Sequence, residues 1–211
     1  MIFLRNENFR SYVRLYPITA MILAVNLIVF IFDALLLDKQ LTERGMFYQE
    51  PELDRYGLSE PWRYVTSMVL HAGWEHLLFN CFSILVFAPP LEKLLGRIRY
   101  LTLYLAAGLA GNVLSAVVHA GIEYGSVGAS GAIYGVFGAF LFLAVFRKFS
   151  IDEATRKTIY MTLIFGLIYS VLSPNINIWA HIGGGIAGLA MMGIIVAGKR
   201  GSKSRAQGGY R

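Results

Sequence analysis

The sequence predicts an all-α membrane protein of six transmembrane helices, with both termini cytoplasmic. Three observations carry that expectation. Hydrophobic residues fill 56% of the 211 positions and charged residues only 15%, where a soluble domain has about 25% charged, and mean hydropathy is +0.55. Six stretches are apolar over the roughly 20 residues that a helix needs to cross a bilayer. Most of the 19 basic residues fall on one side of those stretches. The apolarity excludes solvated disorder. The 22 glycines show no Gly-X-Y period, which excludes collagen, and the lone Cys81 excludes an internal disulfide framework or a cysteine-based zinc site.

Taken in order, residues 1–16 form a polar cytoplasmic tail with Arg5, Arg10 and Arg14. Span 1, Pro17–Leu37, follows that tail and is long enough to remain as a span rather than be cleaved as a signal. The loop at about 38–64 is external. A connection so long is more often functional than a plain connector, and its Met46, Phe47, Tyr48 and Trp62 suit a segment partly on the membrane surface. Span 2 covers Val65–Pro89, span 3 Ile98–His119, span 4 Ser126–Phe146, span 5 Ile159–Ser173 and span 6 Ile176–Ala197. Residues 198–211 form a Gly, Ser and Lys/Arg-rich tail expected to be disordered. The membrane domain is thus 17–197, with no room for a second domain.

Charge sets the orientation. Lys93, Arg97 and Arg99 separate spans 2 and 3, and Arg147, Lys148, Arg156 and Lys157 separate spans 4 and 5. Lys199, Arg200, Lys203, Arg205 and Arg211 follow span 6, while only Lys39, Arg44, Arg55 and Arg63 lie on the other side. The basic side is cytoplasmic by the positive-inside rule. The net charge of +6 therefore reads as orientation, with lipid and no nucleic acid as the expected partner.

Polar side chains inside hydrocarbon are costly, which makes them functional candidates. Span 2 holds His71, Glu75, His76 and Asn80. Span 4 begins Gly128-Ala129-Ser130-Gly131 and continues to Tyr134, and span 6 begins Ala180-His181-Ile182-Gly183-Gly184. All three spans enter from outside. His76, Asn80, Ser130 and His181 then share one layer near the exterior, with Ser130 a turn or so into its span. His76 and Asn80 are four apart on one helix face, as are Ser130 and Tyr134. Gly128, Gly131, Gly135 and Gly138 form a stripe on span 4, and Gly184 and Gly188 a second on span 6. Such stripes let membrane helices approach closely and would bring Ser130 within reach of His181.

A serine hydroxyl needs a base, and His181 is the one histidine placed to serve. An acyl-transfer transition state needs donors aimed at its oxyanion. His76, the Asn80 amide and the Ser130 backbone N–H are the candidates. No carboxylate stands out to orient His181, so a Ser–His dyad is expected, with the Tyr134 ring against the histidine. The sequence lacks the last glycine of G-x-S-x-G, and neither H-E-x-x-H nor H-x-x-E-H occurs. No metal or cofactor is expected.

These residues resemble the rhomboid intramembrane serine proteases of the bacterial six-helix type. The matching motifs are Trp62-Arg63, His71-x4-His76-x3-Asn80, Glu92-x3-Gly96-x2-Arg99, Gly128-Ala-Ser130-Gly131 and Ala180-His181-x-Gly183-Gly184. The resemblance covers about residues 17–197 and implies a rhomboid-like bundle. It implies Ser130 as nucleophile and His181 as general base. It also implies His76, Asn80 and the Ser130 amide at the oxyanion, and Tyr134 stacked on His181, with Gly128 and Gly131 supporting the dyad. Substrates would be transmembrane segments of other membrane proteins, entering near spans 2 and 5, with span 5 and the loop Pro174–Ile178 as gate candidates. The absence of extra helices and of a transit sequence leads to the expectation of a bacterial cytoplasmic membrane.

Trp62, Arg63 and His71 read as structural anchors of the external loop, Glu75 as solvated or paired with Arg63, and Asp33 has no assigned role. A catalytically silent relative that binds or escorts membrane helices is the alternative, and a small transporter a third. A transporter would call for an inverted repeat, which the sequence lacks.

Overall fold

The computed structural model describes residues 2–147, 151–173 and 175–208, with side chains described as far as Gly198. Pro174 of the candidate gate loop and residues 209–211 of the tail lie outside these. Helix α1 (Phe9–Leu15) is capped by Asn8, whose side chain accepts from the Ser11 N–H at 2.9 Å. Among the described residues six long helices follow: α2 (Pro17–Leu36), α5 (Trp74–Leu95), α6 (Arg97–Val118), α7 (Ser130–Phe146), α8 (Glu153–Leu172) and α9 (Ile178–Gly208). Between α2 and α5 lie α3 (Gln40–Gly45), strand β1 (Phe47–Gln49), the short helix α4 (Arg63–Thr66) and a 3-10 turn (Ser67–Val69).

Among the described residues, four helices are long and apolar enough to cross a membrane. They are Pro17–Leu36, Trp74–Leu95, Arg97–Val118 and Ile178–Gly198, while Ser130–Phe146 is apolar but shorter. Large apolar side chains such as Phe82, Phe165 and Ile194 stand exposed on the outside of the bundle. In water that would be a liability; in lipid it is the ordinary surface of a spanning helix.

Three spans start later than the sequence suggests, α9 by two residues, at Ile178 and not Ile176, and two others by more. Helix α5 begins at Trp74, not Val65, because residues 63–69 form α4 and the 3-10 turn, and the backbone of Gly73 is extended before the helix. His71 is therefore outside the helix that carries His76. Helix α5 also runs through Pro89 and Pro90 to Leu95. Proline lacks the N–H that would bond four residues back. For Pro89 that acceptor is the Leu85 carbonyl, which instead accepts from Arg5 Nη2 at 2.6 Å.

Helix α7 begins at Ser130, not Ser126. Residues Tyr124–Ser126 form strand β2, antiparallel to β1, with Phe47 opposite Ser126 and Gln49 opposite Tyr124. Gly128 then takes a φ of +135°, a backbone region open mainly to glycine. Ser130 is thus the first residue of its helix rather than a turn inside it. Gly128 belongs to the preceding loop and not to the helical stripe.

Helix α7 is the centre of the molecule, buried without interruption from Gly131 to Phe140. The glycine stripes make this possible. A Cβ at Gly184 would fall on the Gly131 carbonyl, one at Gly188 on the Gly135 carbonyl, and one at Gly138 on the Gly185 carbonyl. Helices α7 and α9 meet backbone to backbone, as small-residue faces allow.

Two buried carboxylates fasten the first span. Glu92 of α5 accepts from the backbone N–H groups of Ile18 (3.0 Å) and Thr19 (2.8 Å) and from Thr19 Oγ1 (2.7 Å). It caps the N-terminus of α2, where unpaired donors and the helix dipole favour an anion. Asp33 does the same for α3, accepting from Leu41 N, Thr42 N and Thr42 Oγ1 at 2.7, 3.1 and 2.6 Å. Its place in the apolar run follows from that cap.

Candidate active site

The site forms at the end of the bundle where α5, α7 and α9 all begin. Ser130 opens α7, and the first backbone bond of that helix runs from Ile133 N to Ala129 O. The N–H groups of Ser130, Gly131 and Ala132 precede it and have no partner within the helix. The loop before Ser130 is held by the Gly128 N–H, which donates to the Ser67 carbonyl at 2.9 Å. His76, in the first turn of α5, places its ring beside that loop. A Cβ at Gly128 would lie 2.7 Å from His76 Cε1 and Nε2, and 3.6 Å from Ser130 Oγ. Glycine at 128 is what lets the imidazole approach the serine.

His181 arrives from α9, whose N-terminus is capped by Asn177. The Asn177 Oδ1 accepts from Ala180 N at 3.0 Å, and its Nδ2 donates to Ser115 Oγ (2.8 Å) and Ser126 Oγ (3.2 Å). A Cβ at Gly131 would touch the Ala180 carbonyl at 3.4 Å, so the residues next to Ser130 and His181 are in contact. The His181 side chain is buried and lies flat on Tyr134, with ring centroids 4.1 Å apart and planes 10° from parallel. Its Nδ1 is 2.8 Å from Ser170 Oγ of α8. No hydrogen bond joins Ser130 Oγ to His181 among the described residues. Catalytic hydrogen bonds often tighten only around substrate.

Asn80 sits one turn below His76, buried, and its Nδ2 has no hydrogen-bond partner among the described residues. A buried donor left unpaired is costly, and an amide held ready for a developing oxyanion has that character. His71 is also buried. Among the described residues its ring nitrogens have no well-formed hydrogen bond, only the Val69 backbone nearby, and its ring meets His76 edge-on at 5.1 Å. It supports His76 by contact. Arg63 ties the long loop together, with Nε on Glu60 Oε2 at 2.6 Å and Nη1 on the Glu43 and Met46 carbonyls, both at 3.1 Å. Its partner is Glu60 and not Glu75. Trp62 is half exposed, and its carbonyl accepts from Val65 and Thr66.

A family model for the rhomboid domain matches residues 58–198. The chain belongs to the rhomboid family. It is 38% identical over 201 residues to YdcA of Bacillus subtilis (strain 168), covering 93% of this chain and 98% of that protein. The rhomboid protease GluP of the same organism is 34% identical over 165 residues, which is 77% of this chain and 32% of GluP. RHOMBOID-like protein 6, mitochondrial, of Arabidopsis thaliana is 35% identical over 144 residues, 63% of this chain and 43% of that one. The chain thus spans nearly all of YdcA and less than half of the other two. This rhomboid is a multi-pass integral membrane protein.

Sequence reasoning missed two residues of this site. Asn177 was visible only as part of a candidate gate loop, although an Asn immediately before an apolar helix is a capping signal. Ser170 was hidden, because a serine in an apolar run ordinarily bonds its own helix backbone. It does so here, donating to the Gly166 carbonyl at 2.7 Å, and it reaches His181 as well.

Proposed function

We propose that this rhomboid is an intramembrane serine endopeptidase that cleaves transmembrane segments of other membrane proteins with a Ser130–His181 dyad. The observation that carries it is the convergence of three groups: Ser130 at the start of α7, the His76 ring across Gly128, and His181 flat on Tyr134. In this reading His181 takes the Ser130 hydroxyl proton as Oγ attacks the scissile carbonyl. The resulting oxyanion is met by the Ser130 backbone N–H, His76 and the Asn80 amide, donors fixed before the charge appears. His181 then returns the proton to the leaving amine. Water hydrolyses the acyl-enzyme by the same route in reverse. No metal or cofactor takes part.

The same reading has six spans, with α7 and α8 crossing alongside the four longer apolar helices. The basic connections put both termini on the cytoplasmic side, and the site opens toward the exterior of a bacterial cytoplasmic membrane. The charged first turns of α8, with Glu153, Arg156 and Lys157, suit a helix that enters from the cytoplasmic surface. The test is cleavage of a single-span substrate by the full chain in liposomes. Wild type should release two fragments and Ser130→Ala none. Equal cleavage by both would overturn the proposal.

A further inference from the structure

Ser170 is buried on α8, and three groups meet its one hydroxyl. Its Oγ lies 2.7 Å from the Gly166 carbonyl oxygen, 2.8 Å from His181 Nδ1 and 3.2 Å from the Tyr134 hydroxyl. A hydroxyl has one proton and two lone pairs. The Gly166 oxygen can only accept, so its 2.7 Å contact is a hydrogen bond only with the Ser170 proton pointing there. The two lone pairs of Ser170 then receive the O–H of Tyr134 and an N–H from His181. Tyr134 reaches this position because residue 166 has no side chain. A Cβ there would lie 2.6 Å from the Tyr134 oxygen. Only one arrangement of protons makes all three contacts hydrogen bonds, and it puts the histidine proton on Nδ1.

We propose that Ser170 is a positioning residue, holding the proton of neutral His181 on Nδ1 so that Nε2 is left bare as the base for Ser130. This rests on the Ser130–His181 reading above and adds the tautomer and the group that sets it. Which ring nitrogen carries the proton is decided by the bond the other nitrogen makes. In hydrolases with a triad, a carboxylate does this work. Here a hydroxyl does it without placing a second charge in a low-dielectric interior, where an ion would be costly. When His181 takes the Ser130 proton, the imidazolium still donates from Nδ1 to the same oxygen. The Tyr134 ring fixes the plane of the imidazole, and Ser170 fixes its rotation within that plane.

The test uses the full chain in detergent micelles with 15N-labelled histidine, comparing Ser170→Val and Ser170→Thr. The two substitutions share a shape and differ by the hydroxyl, and matched melting temperatures check that both fold. Ser170→Ala serves if the branched side chains do not fit. Nitrogen NMR reads the tautomer of His181, and covalent labelling by a fluorophosphonate reads the reactivity of Ser130. Wild type and Ser170→Thr should show protonated Nδ1 and bare Nε2. Ser170→Val should show a mixture of tautomers. Its labelling should be slower by about tenfold, the effect of one lost orienting hydrogen bond, with KM for a peptide substrate unchanged. An unaltered tautomer and labelling rate in both Ser170→Val and Ser170→Ala would overturn the proposal. A wild-type chain with the Nδ1–H signature that takes no label would support the tautomer and overturn the dyad reading beneath it.

Discussion

The imidazole of His181 and the phenol of Tyr134 lie face to face, 4.1 Å between centroids and 10° from parallel. The phenol belongs to the helix that begins at Ser130, so the stack fixes the histidine relative to the serine. The ring matters more than its hydroxyl. Tyr134→Phe should retain cleavage within a few-fold. Tyr134→Ala empties a buried site, should cost about 3–5 kcal/mol of stability, and should lower kcat/KM more than tenfold. Thermal unfolding in detergent and steady-state cleavage check the two halves.

The contact between α7 and α9 is equally specific. At Gly184 an added methyl would strike the Gly131 carbonyl, whereas at Gly185 the nearest atom is the Tyr134 carbonyl oxygen at 3.8 Å. Gly184→Ala should destabilise the protein by about 1–3 kcal/mol, as overpacked sites do, and should also suppress cleavage by shifting His181 from Ser130. Gly185→Ala, one position along, should be near neutral. Melting temperatures and cleavage rates of the pair give the comparison.

Arg5 supplies the donor that Pro89 lacks, bonding the Leu85 carbonyl at 2.6 Å. Its guanidinium lies near the Tyr12 and Tyr16 rings, 5.4 and 5.5 Å from their centroids. Arg5→Ala should lower stability by about 1–2 kcal/mol through the unpaired carbonyl. Arg5→Lys should recover only part of this, because an ammonium lacks the planar fork. Unfolding in detergent would measure both.

Asp152 caps α8. Its carboxylate accepts from Thr155 Oγ1 at 2.6 Å and Thr155 N at 2.9 Å, and these bonds hold its pKa down at about 2. A depressed folded pKa gives stability that is complete above the ordinary carboxylate value and is lost as pH falls through the folded one. Wild type should therefore melt above Asp152→Asn at neutral pH, and the gap should close between about pH 4 and about pH 2. A carboxyl titration of Asp152 by NMR should place its midpoint near the lower limit.

The helical bundle and the residues gathered at its site were legible because hydrocarbon is an exacting solvent. Ser130, His181, His76 and Asn80 stand out against apolar runs, and the glycine stripes announce where backbones meet. The parts that escaped depend on partners distant in sequence. The late start of α7 follows from β2 pairing with Phe47–Gln49, which periodicity along one segment does not show. The carbonyl that Pro89 leaves without its helical donor is met by Arg5, far away in the sequence. The role of Asp33 depends on Thr42, and that of Ser170 on a histidine in another helix. Each is a polar pairing that forms only after the helices have assembled.

The most direct measurement is the site of covalent labelling. The protein in detergent is treated with a fluorophosphonate and digested, and the adduct is located by mass spectrometry. The expected result is a single adduct on Ser130 that disappears in His181→Ala while the variant keeps its melting temperature. An adduct on another residue, or Ser130 labelled at the wild-type rate in His181→Ala, would contradict the dyad.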